Sequence, residues 1–207
     1  MQFKRIRLIV RWSALNTKFF SLAFAGTAFL VLFFPHFMLS ILARWASLLE
    51  ILGARGAAEF SSTFAVFSHV LQRNAIAAAV FFGAGLLLQA PIALLFAGTF
   101  YSLIAFLAQH TLGRSFAVAD WVLIIAEAAV LVVCASLSTA IAAEVHGVSP
   151  SIGEWWRFSK KSWTSLRTKA PNSWRAVLPA WYPSLAISAI IILSLLLFLA
   201  YFEVFGY

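Results

Sequence analysis

The sequence predicts an all-α integral membrane protein: a five-span helical bundle with an outer and an inner interfacial amphipathic helix. Three observations lead there. Of 207 residues, 63% are hydrophobic and 11% are charged, against roughly 25% charged in soluble domains. Apolar stretches of the roughly 20 residues that a helix needs to cross hydrocarbon recur along the chain. Positive charge is unevenly shared between them. Eleven of the fifteen Lys and Arg lie in the amino-terminal run Lys4, Arg5, Arg7, Arg11, Lys18 and in the segment Arg157, Lys160, Lys161, Arg167, Lys169, Arg175.

The first span is read at about 19–42, too long for the core of a cleaved signal peptide, and hence as a retained signal anchor. Spans at about 120–142 and 181–203 are equally plain. The nearly uncharged stretch from Ala75 to Ala108 divides at Gln89-Ala90-Pro91 into two short spans, about 75–88 and 92–108. The positive-inside rule supports that division, because only a hairpin returns the basic segment after His146 to the side of the amino terminus. The topology expected is a multi-pass cell-membrane protein with the amino terminus cytoplasmic and the carboxyl terminus outside. No linker or repeat splits residues 1–207, so a single membrane domain is expected.

Two segments read as surface helices. At about 58–72, Phe60, Phe64, Phe67 and Leu71 recur at helical spacing opposite Glu59, Ser61, Ser62, Ser68, Gln72 and Arg73. At about 152–168, Ser151 and Glu154 have capping-box spacing. Trp155, Trp156 and Trp163 then gather on one face, with Arg157, Lys160 and Lys161 elsewhere, which suits a helix lying among anionic headgroups. The net charge of +8 is thus assigned to topology and lipid contact, not to nucleic acid.

Polar groups at membrane depth are the candidate site residues: Asn74 heading the second span, Gln89 at the turn, Glu127 within the fourth span and Glu203 closing the fifth. Glu127 reads either as a proton or cation site or as a hydrogen-bonded packing residue, with no intramembrane Lys or Arg expected beside it. Ala79, Gly83, Gly85, Gly98 and Ser102 are small residues that let helices approach closely. His36, His69 and His110 would lie toward the outer side but lack ligand spacing, and the single Cys134 makes no internal disulfide, so neither metal nor cofactor is expected. No nucleophile elbow, phosphate loop, dinucleotide fingerprint or acid pair is present, and a non-enzymatic role follows.

The chain resembles the stage II sporulation protein M family of integral membrane proteins. The resemblance covers roughly residues 60–207. It rests on Asn74-Ala75 opening a span with Gly83 and Gly85, on Ala97-Gly98-Thr99-Phe100-Tyr101-Ser102, on Ile125-Ala126-Glu127-Ala128-Ala129, and on Phe202-Glu203-Val204. The chain departs from the family pattern at Ala97 and Ser102, where asparagine and glycine are usual, and lacks the His-Gly pair before the fourth-span glutamate. The resemblance implies a multi-span bundle serving as a scaffold or as a subunit of a larger complex with other membrane proteins or with further copies of itself. It also implies Asn74, Gly98, Glu127 and Glu203 as positions of interest. The alternatives are a transporter or channel component with a polar path at Glu127, and an accessory subunit of a respiratory complex.

Overall fold

A computed structural model describes residues 2–38, 40, 62–112, 117–157 and 174–205, with the side chains of 2 and 107–112 excepted. Five long helices dominate: α1 (Gln2–Phe33), α2 (Thr63–Leu86), α3 (Ala90–Leu112), α4 (Val118–His146) and α5 (Trp174–Phe205). No strand occurs among the described residues. Within α1, α2, α4 and α5 lie four segments long and apolar enough to cross a membrane; α3 contributes a shorter apolar stretch, Ala90–Phe106. The protein is therefore membrane-embedded.

Helix boundaries refine the expected spans. Neither glycine nor proline interrupts residues 2–25, so α1 begins inside the basic run, well before residue 19. It stops at Phe33 because Pro35 disfavours helical backbone at Phe34. A turn of helix over 35–38 follows.

The start of α2 corrects the outer amphipathic helix expected at 58–72. From Thr63 onward those residues are the opening turns of one 24-residue helix, about 36 Å long at 1.5 Å per residue, and residues 58–61 lie outside the described set. Ser62 caps it, its Oγ accepting from the Ala65 N–H at 3.2 Å. No helix breaker separates the polar-faced turns from the apolar ones, so they continue as one element.

The turn between α2 and α3 falls at 87–89, where division was expected. Leu88 N–H bonds to Gly85 O at 2.9 Å and Gln89 N–H to Ala84 O at 2.8 Å, the paired pattern of a Schellman ending. Its left-handed position is filled by leucine, Leu88 at φ 57, where glycine would be unstrained. Burial compensates, since Leu88 is packed with Trp12, Leu137 and Trp155.

One end of the bundle gathers the start of α1, the α2–α3 turn, the end of α4 and the start of α5. Arg5 reaches Glu144 and the Ala180 carbonyl, and the Trp155 indole reaches Leu88. Successive helices therefore run in alternating directions from this basic end. The central helix is α4, whose residues from Val130 to Val145 are almost all buried. Burial all round explains why its apolar residues show no single stripe. Its principal neighbours are α2, α1 and α5, while α3 lies mainly along α1.

Candidate functional site

Toward the far end, four helices contribute polar groups to one cluster. Glu127 lies on the α4 face that carries Val130 and Cys134, at three- and seven-residue spacing, and that face packs on α2 and α5 through Ala78, Leu196 and Leu199. The Arg73 guanidinium from α2 binds both Glu203 oxygens, at 2.8 and 2.9 Å, and lies 3.6 Å from Glu127 Oε1. From α3, Tyr101 shares a hydrogen bond with the Glu127 carboxyl. This corrects the expectation that Glu127 has no basic partner at membrane depth. The flexible stem of Arg73, midway along α2, lets it carry its charge to the neighbouring helices.

Asn74 adjoins the cluster, buried, with Oδ1 at 3.5 Å from Arg73 Nε and Nδ2 without a hydrogen-bond partner. The crevice between Asn74, Tyr101, Glu127 and Leu199 encloses about 10 Å³, roughly the room for one water. Four of the expected polar positions thus divide. Asn74, Glu127 and Glu203 come together, whereas Gln89 is half-buried in the turn at the basic end.

The small residues also divide. A Cβ on Gly85 would strike Ser138 Oγ and the Ala135 carbonyl of α4, and one on Gly98 would strike the Phe20 carbonyl of α1. At these two positions helix backbones approach closely enough to exclude a side chain. Ser102 is fully buried in α3, its hydroxyl unpartnered. Gly83 has open space around it, and Ala79 is exposed.

Of the residues expected at the headgroups, Trp155 behaves differently. It is buried, its indole N–H donating to the Leu88 carbonyl at 2.8 Å and its ring meeting Phe19 edge-on at 5.3 Å. The capping arrangement aims it there: Ser151 Oγ accepts from Glu154 N–H at 3.2 Å, while the Glu154 carboxylate takes Ser149 N–H at 2.7 Å. Trp156 and Arg157 are exposed on the same short helical segment, 152–157. Lys160, Lys161, Trp163 and the rest of the expected inner helix lie outside the described residues.

Two further polar contacts gave no signal in the sequence. Asn16 donates to Ser136 Oγ at 2.9 Å between α1 and α4, fully buried. Near the basic end, Glu144 accepts from Trp181 Nε1 at 2.8 Å and from Arg5 at 3.4 Å, and the Arg5 guanidinium sits 5.6 Å from the Trp181 ring centre. An asparagine preceding a lysine and a glutamate preceding a loop look solvated until the helices are assembled. Among the described residues no three His, Cys, Asp or Glu side chains form a metal-binding group.

No family model, curated protein or solved structure matches the chain.

Proposed function

We propose that the chain is a non-enzymatic five-span membrane protein, a scaffold or subunit of a larger membrane complex, with its basic end cytoplasmic and its carboxyl terminus outside. The fifth crossing in this reading is Ala90–Phe106, which starts at the basic end beside α1 and runs parallel to it. The observation that carries the role is the closure of the polar cluster around Glu127. Its carboxyl is engaged from α2 and α3, and the space beside it holds about one water, which suits a knot fixing helix positions better than a conduction path. The resemblance to the sporulation protein M family points the same way.

A groove of about 680 Å³ between α1 and α4 adds support. It is bordered on α1 by Ser13, Thr17, Ser21 and Ala25, a small residue every fourth position, which favours close packing by a transmembrane helix of a partner. Copurification in mild detergent tests the reading. Glu127→Gln, which keeps shape and hydrogen bonding, should retain the particle mass of the wild-type assembly, and Glu127→Leu should release the monomer. A monomeric wild type, or ion flux in proteoliposomes that Glu127→Gln abolishes, would overturn it. Sidedness is read by placing a cysteine at Lys160 in a Cys134→Ala background. An impermeant maleimide should leave it unlabelled on intact cells, and labelling would invert the topology.

A further inference from the structure

At the basic end, a cavity of about 700 Å³ opens between the first turns of α1 and the end of α4. Its size falls within the range of small-molecule sites, about 300–1,000 Å³. Lys4, Arg5, Arg7 and Arg11 line one wall; Glu144 and Ser149 belong to the other. The charges do not balance. Among the described residues, Glu144 is the sole carboxylate in the lining, and it is already bound by Arg5 and by the Trp181 indole. Arg5 is engaged a second time by the Ala180 carbonyl, at 2.7 Å.

Lys4, Arg7 and Arg11 have no hydrogen-bonding or ionic partner among the described residues. Their spacing of three and four residues stacks them on one face of α1, where like charges repel. The opposite wall does not satisfy them, because the Glu144 carboxylate there is held by Arg5 and Trp181, and the Ala143 carbonyl already accepts the Gly147 and Val148 N–H groups. An anion in this cavity would lie beside a row of three cations. Two of them are guanidinium forks, whose geometry matches the oxygens of a phosphate.

We propose that this cavity binds a phosphate-bearing anion, supplied by the headgroup of an anionic phospholipid. The lipid source follows from placement: Lys18, two turns beyond Arg11, is the last cation on α1, and from Phe19 the helix is apolar, so the cavity stands on the headgroup side of the hydrocarbon boundary. This site is separate from the exposed Arg157 surface, and it does not depend on whether the chain acts as a subunit.

The test is native mass spectrometry of the full chain released from neutral detergent with added phosphatidylglycerol or phosphatidylcholine. The wild type should retain phosphatidylglycerol selectively. The Arg7→Gln/Arg11→Gln variant should bind it about 30-fold more weakly. Ser149→Glu, which puts a carboxylate at the cavity without touching the amino-terminal charge that directs insertion, should weaken it similarly. Arg157→Gln should bind as the wild type does. sn-Glycerol 3-phosphate at the same concentration should fail to displace the lipid. Equal retention of both lipids, or undiminished binding by the Ser149→Glu variant, would overturn the proposal, and displacement by glycerol phosphate would overturn the lipid source.

Discussion

Replacing Arg73 with methionine removes the cation that touches both Glu127 and Glu203. The cost depends on burial. The Glu127 side chain is 14% exposed and that of Arg73 50%, so the interaction lies between two limits. An exposed ion pair contributes about 0.2–1 kcal/mol, and stranding a buried charge costs about 3–5 kcal/mol. A loss of about 2 kcal/mol is expected, with the two carboxylates left facing each other. In a chain of this size each kcal/mol moves Tm by about 2–4 °C, giving a fall of about 4–8 °C. Cys134, buried and the only cysteine, supplies the assay: its reaction with a fluorogenic maleimide during heating reports opening of the core. A double-mutant cycle with Glu203→Gln isolates the pair, because the two losses should not add. An unchanged Tm for Arg73→Met, or strict additivity in the cycle, would refute the view that this ion pair clamps α2 to α5.

Two glycines one half-turn apart should respond oppositely: Gly85→Ala should cost about 1–3 kcal/mol by forcing α2 off α4, whereas Gly83→Ala, facing open space, should gain up to about 1 kcal/mol from helix propensity. Their melting temperatures in one detergent decide it. Trp155→Phe keeps the ring against Phe19 but removes the bond to Leu88, and should lower stability by about 1 kcal/mol and speed amide exchange at 87–89. Ser136→Ala leaves the buried Asn16 amide without its acceptor; a loss of about 1–3 kcal/mol is expected in the same melting assay.

How much of this was legible in the sequence varies from element to element. The all-helical membrane class, the reversal near Gln89 and the bond between Ser151 and the Glu154 amide could be read directly, since each depends on residues close in the chain. Helix ends were less legible. The polar face at 63–72 suggested a separate surface helix, but nothing in the backbone chemistry between Thr63 and Leu86 breaks the run. The site was legible only as individual residues. Glu127 stood out because a carboxylate inside an apolar stretch has few explanations, yet its neighbour Arg73, 54 positions earlier in the chain, looked like an outer flanking charge. Trp155 shows the same limit in reverse. Its helical face suits a lipid surface, and its bond to the Leu88 carbonyl at the α2–α3 turn holds it inward.

The two arms of that turn touch each other little; α3 lies on α1, whereas α2 leans on α4. Joined tightly at their base, they part to admit a helix synthesised after both. The order of assembly follows from this: as the chain leaves the ribosome, α3 finds its partner already in the bilayer, while α2 must wait for Val118–His146 to be inserted. A chain truncated after residue 112 should therefore hold α3 against α1 and leave Gly85 without a neighbour, so that a cysteine placed there reacts with a lipid-soluble maleimide until the next span arrives.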